Sequence, residues 1–119
     1  TIVLRQGQPW LAVGSPGGAT IITTTLQILL DRIDFGMSLP DAIAAPRISQ
    51  RNRSVTDAEA AFLSGPYAAP LQARGQVFTL VPDIGAATGL EFLGHGKLLA
   101  AAEPVRRGVG AAGVVVPAR

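Results

Sequence analysis

VGSPGGATII, residues 13–22, sets three glycines and a proline between a β-prone run and an apolar, helix-like run. Two readings of it stand. In the plainer one the glycines make a tight turn from strand to helix. In the other they make a nest of backbone N–H groups that holds negative charge. Gly17 and Gly18 directly precede the helical run, so their N–H groups can point outward at its positive end. Pro16 stiffens the entry, and glycine lets a ligand approach the backbone closely. That is the chemistry of an oxyanion hole, where donors are fixed at the place charge develops in acyl transfer.

Upstream, Thr1–Leu4 and Trp10–Val13 are β-prone and flank Gln6-Gly7-Gln8, which predicts a hairpin. Downstream, a helix is predicted over about Ala19 to Phe35. Ile22, Leu26, Leu29, Leu30 and Ile33 form one apolar stripe, with Thr20, Thr23, Gln27, Asp31 and Asp34 opposite. The β-branched Thr23–Thr25 run lowers helix propensity, and Gly36 is a natural stop. Ser38, with Asp41 three residues on, is spaced to cap a second short helix that Pro46 ends. RISQRNRSV reads as extended. Residues 57–66 read equally as helix or loop, and a further helix is expected around Pro66–Ala73, closed by Gly75. QVFTLV is a strand, GLEFLGHGKLLAAA a hairpin turning at Gly94-His95-Gly96, and GVVVP a last short strand. Strands and helices mix without βαβ regularity, so the fold class is α+β.

The 119 residues suit a single domain spanning 1–119. At 48% hydrophobic and 15% charged the chain can bury a core. Aromatics are only 5%, so the core is expected to use small residues and to lean on a neighbouring surface. The net charge of +2 is weak. Arg47, Arg51, Arg53, Arg106 and Arg107 read as scattered solvated arginines, and nucleic acid is not an expected partner. With no Cys and only His95, thiol chemistry, disulfides and a histidine metal cluster are excluded, and no metal or cofactor is expected. No apolar run approaches the ~18 residues of a membrane span. No secretory leader is visible at the start, where the chain opens without Met in a strand-like run, as a piece of a longer protein would.

Three patterns mislead. GVGAAG, Gly108–Gly113, matches the dinucleotide fingerprint by letter, but VVVPAR follows it where a helix should open. Thr1 is either an N-terminal nucleophile with its own amine as base or simply where the segment starts. His95, flanked by glycines, reads as an exposed turn residue rather than a catalytic base.

Taken together, GSPGG followed by an Ile-Thr-Thr helix and then DAIAAPR resembles the C-terminal part of the small subunit of γ-glutamyltranspeptidases (γ-glutamyltransferases). GHGKLLAAAEPVRRG is similar to that family's Asp-Gly turn, strand and acidic-Pro-Arg segment. It departs in three places: His95 stands for the turn Asp, Glu103 for Asp, and Val105 is inserted before the arginines. The resemblance implies a fragment of an N-terminal-nucleophile αββα sandwich. It implies a precursor that cleaves itself to expose a Thr, which attacks a γ-glutamyl amide such as glutathione. The acyl group then passes to water, an amino acid or a peptide. On this pattern Gly17 and Gly18 supply the oxyanion-hole amides. The nucleophile and the residues gripping the substrate's α-amino and α-carboxylate groups lie upstream, which makes Thr1 a strand position and the fragment inactive alone. Its partners would be the rest of the small subunit and the large subunit, its location periplasmic or extracellular, and its unpaired edges a route to self-association. A related amidase, such as a cephalosporin acylase or a polyglutamate-processing transpeptidase, or a noncatalytic domain using GSPGG as a turn or a weak anion site, are the alternatives.

Overall fold

The computed structural model describes residues 1–106 and 113–116. Arg107 and most of GVGAAG lie outside the described residues. The predicted hairpin is there: β1 (Ile2–Arg5) and β2 (Gln8–Gly14) pair antiparallel. Gln6 and Gly7 turn between them at φ 52° and 77°, the left-handed pair of a type I′ hairpin turn. Strand β2 pairs with β6 (Thr88–Gly94), β6 with β7 (Lys97–Ala102), and β7 with β8 (Gly113–Val115). The result is a five-stranded antiparallel sheet in the order β1-β2-β6-β7-β8.

A second sheet joins β3 (Ile48–Ser49), β4 (Thr56–Glu59) and β5 (Phe78–Val81). Strand β4 runs antiparallel to β3 and parallel to β5, with α3 (Ala60–Leu63) and α4 (Ala68–Ala73) in the crossover. Strand β4 and the single turn α3 fall in the stretch whose sequence leaves helix and loop open. All four β4 residues are buried. Asp57 and Glu59 are poor strand formers in isolation, and their charges are tolerated there because arginines meet them.

A 3-10 turn, Gly18–Thr20, leads into α1 (Ile21–Ile33), and α2 (Leu39–Ala44) follows. The Asp41 N–H donates to Ser38 Oγ, so the predicted cap is formed. Most of the apolar stripe of α1 faces outward, and only Leu29 of it packs against the core. The buried residues of the helix are Thr24, Thr25 and Ile28, whereas Ile22 is 76% exposed and Leu26, Leu30 and Ile33 are also exposed. Periodicity fixes the helical repeat but not which side meets the sheet. The slim threonine side wins because residues 84–86 approach it closely: a Cβ on Gly85 would lie 3.0 Å from Thr24 Cγ2.

The core gathers Trp10, Leu11, Val13, Ile28, Leu39 and Ile43 with Ala42, Ala87 and Ala101, so small residues do carry much of it. Helices α1 and α2 cover one face of the five-stranded sheet. Its other face carries the rows Ile2–Ala12–Leu90–Ala100 and Phe92–Leu98–Val115, which are apolar. Ile2, Leu90, Phe92 and Val115 are exposed there, and no element among the described residues covers them. One helix layer on one sheet with a bare apolar back is half of an αββα sandwich.

Candidate functional site

Strand β2 ends at Gly14, and the backbone then folds through Ser15-Pro16-Gly17-Gly18 into the 3-10 turn. Gly17 sits at φ 142°, ψ 8° and Gly18 at φ 56°. A Cβ on Gly17 would lie 2.5 Å from Thr20 Oγ1, whereas one on Gly18 would meet nothing within 4 Å.

Each carbonyl beside these glycines is tied down. Pro16 C=O accepts from Ser15 Oγ at 2.7 Å. Gly17 C=O accepts from both the N–H and the Oγ1 of Thr20, at 3.1 and 3.0 Å. No peptide bond is cis among the described residues, and in a trans peptide the N–H points opposite to the C=O of the same plane. Tying Pro16 C=O therefore turns the Gly17 N–H the other way, and tying Gly17 C=O does the same for Gly18. Neither amide donates to an acceptor among the described residues. Gly17 lines a cleft of about 330 Å³ with Pro16, Thr20, Asp83, Gly85 and Ala86. Gly18 stands beside it at the start of the 3-10 turn.

Residues 84–86 back the loop. Ala86 N–H donates to Ser15 Oγ at 3.1 Å. The Ile84 backbone is held from both sides: its N–H donates to Glu59 Oε1 at 2.9 Å, and its C=O accepts from Arg47 Nη1 at 2.8 Å. Arg47 also meets Glu103 Oε2 at 2.9 Å, and Arg106 bridges Glu103 and Glu59. Arg106 further caps the carbonyls of Ile43 and Ala45, at 3.2 and 2.8 Å. Two arginines and two glutamates thus form a neutral, buried cluster. Burial alone would push Glu59 up, but its bonds from Arg106 and from the Arg47 and Ile84 amides hold its carboxyl below the usual value. Burial and the neighbouring Arg106 pull Arg47 down. Burial also works against the Arg106 charge, but Glu59 outweighs it and raises Arg106.

This corrects the expectation of scattered solvated arginines for Arg47, which is 0% exposed, and for Arg106, which is buried. Arg51 and Arg53 are exposed as expected, although both pair with Asp57, and Arg107 lies outside the described residues. Sequence reasoning missed the cluster, although charged residues set among small apolar ones in a chain only 15% charged were a signal. Val105 is exposed, and Arg106 beside it is buried. His95 is an exposed turn residue at φ 51°. The Thr1 ammonium donates to Val13 C=O at 2.8 Å and Thr1 C=O accepts from Val13 N–H at 2.9 Å, so Thr1 continues the β1–β2 ladder.

The gamma-glutamyltranspeptidase family model matches residues 1–113. The chain belongs to the gamma-glutamyltranspeptidase family. It is 36% identical over 105 residues to a glutathione hydrolase proenzyme of Escherichia coli (strain K12), a match that takes in 87% of this chain and 18% of that protein. The chain therefore spans less than a fifth of that relative's length. Its fold superposes on the gamma-glutamyltranspeptidase from Pseudomonas nitroreducens complexed with L-DON with a TM-score of 0.79 and 31% identity, covering 93% of this chain and 59% of that one. A cephalosporin acylase from Bacillus halodurans is also similar, with a TM-score of 0.77 and 26% identity over 92% of this chain and 20% of that one. The α+β architecture is that of N-terminal-nucleophile gamma-glutamyltranspeptidases, and the expectation of family and fold drawn from GSPGG and DAIAAPR holds.

Proposed function

We propose that this chain is the oxyanion-hole segment of a gamma-glutamyltranspeptidase that acts on γ-glutamyl amides such as glutathione. The nucleophilic threonine and the residues that grip the substrate's α-amino and α-carboxylate groups come from the rest of the parent protein. The threonine Oγ attacks the γ-carbonyl, and the carbonyl oxygen takes the negative charge. Gly17 and Gly18 donate their N–H groups to it. The intermediate then collapses, the amine leaves with a proton, and the acyl group passes to water or to another amine. The observation that carries this reading is the pair of glycine amides left without acceptors among the described residues, beside a cleft, while the Pro16 and Gly17 carbonyls are held.

The similarity to a cephalosporin acylase supports a second reading, in which the same loop serves another amide. Both are tested with the whole parent protein, expressed and allowed to mature, by offering a γ-glutamyl anilide and a cephalosporin side-chain amide side by side. A kcat/KM at least tenfold higher for the γ-glutamyl anilide is expected. A preference for the cephalosporin amide favours the second reading, and no acyl transfer to either contradicts both.

A further inference from the structure

Glycine at positions 17 and 18 permits close approach of a substrate but leaves the flanking peptide planes free to flip, since glycine populates positive and negative φ about equally. A flip of either plane reverses its N–H. Something must hold the planes, and two hydroxyls do so. Ser15 Oγ accepts from Ala86 N–H, which has only a hydrogen to give, so its own proton goes to Pro16 C=O. Thr20 Oγ1 donates to Gly17 C=O alongside the Thr20 N–H.

We infer that Ser15 and Thr20 are positioning residues whose hydroxyls aim the Gly17 and Gly18 amides. Ser15 holds the 16–17 plane and Thr20 the 17–18 plane. Ser15 is itself fixed by Ala86, which follows the Ile84 peptide clamped between Glu59 and Arg47. The buried ion cluster is thus linked to the loop by hydrogen bonds at Ile84 and at Ala86, joined through the Gly85 backbone. Gly85 completes the fit, because a Cβ there would lie 2.6 Å from Ser15 Oγ and displace it. The inference rests on the oxyanion reading of the loop.

The test uses the mature parent enzyme, with rates expressed per titrated active site. Ser15→Ala and Thr20→Val each remove one tether and leave both N–H groups in place. Each is expected to lower kcat about tenfold, a fraction of the ~10²–10³ for complete loss of a donor, with KM within about twofold and the melting temperature little changed. Thr20→Ser keeps the hydroxyl and is expected to recover most of the rate lost in Thr20→Val. If Ser15→Ala does not mature, the Thr20 pair decides. Unchanged kcat in Thr20→Val overturns the inference, as does a loss equal in Thr20→Ser or one confined to KM. A parallel enzyme with glycolate in place of Gly17, which exchanges its N–H for an ester oxygen, separates the two failures. If that ester costs rate while the hydroxyl variants do not, the positioning inference alone falls. If the ester costs nothing, the oxyanion reading falls with it.

Discussion

At the residue scale, the molecule depends on the cluster of Arg47, Glu59, Glu103 and Arg106. Removing one member of a buried ion group strands the opposite charge at a typical cost of about 3–5 kcal/mol. Arg106→Met leaves Glu59 and Glu103 short of a cation, so a loss of that order is expected in chemical denaturation of the mature enzyme. A loss under about 1 kcal/mol would show that Arg47 and the backbone amides suffice. The cluster also gives an acid limb. The Glu59 carboxyl titrates below its ordinary value of 4.5 in the folded chain. Its stabilisation is therefore complete above about pH 4.5 and is lost as pH falls through the lower, folded value. Glu59→Gln should lower stability at pH 7 and flatten the fall in melting temperature below pH 4.5. An unchanged acid slope would exclude Glu59 as its source. None of this was legible residue by residue. The two arginines read as surface charges in their own stretches, and only the fold brings β4, the segment after α2 and the segment after β7 together.

At the element scale, the glycine loop, the 3-10 turn and α1 behave as one unit. Gly18→Ala keeps both donors and meets open space, so its cost is the positive φ alone, about 1–2 kcal/mol. Gly85→Ala carries the same φ penalty and drives a Cβ to within 2.8 Å of Thr24 Oγ1 and nearer still to Ser15 Oγ. It should destabilise the mature enzyme more than Gly18→Ala and also lower kcat. Equal melting temperatures for the two variants would contradict the packing described here. The hairpins, the loop, α2 with its Ser38 cap and the extent of α1 were readable because turn glycines, a capping residue and the helical repeat are local signals. Strand β4 was not, since its strand character comes from partners on both sides and two of its four residues are acidic. The side of α1 that faces inward was not readable either, since Ile28 lies buried among threonines while the more regular stripe, Leu29 apart, faces out.

At the scale of the whole molecule, the five-stranded sheet is clad on one face only. Ile2, Leu90 and Phe92 on the other face and Ile22, Leu26 and Leu30 on α1 leave apolar surface of the kind that draws partners. Residues 1–119 made alone are expected to self-associate in sedimentation at high concentration, and a sharply monomeric profile with cooperative unfolding would contradict that. The same isolated chain should release no colour from a γ-glutamyl anilide above a heat-killed control. Turnover abolished by Thr1→Ala would instead make Thr1 a nucleophile. In the whole enzyme the role proposed for the Gly17 N–H is to stabilise the oxyanion. A proline at this position tests it poorly, because Gly17 sits at φ 142°, far from the value a proline ring imposes. Glycolate keeps the backbone freedom and deletes the donor, while the Pro16 carbonyl, now an ester, becomes a weaker acceptor for Ser15 Oγ. The decisive measurement is turnover of a γ-glutamyl anilide per titrated active site in mature enzyme carrying that ester at position 17, beside its melting curve. A fall of about 10²–10³ with an almost unchanged melting curve is the predicted result, and near-normal turnover per site would return GSPGG to being a turn.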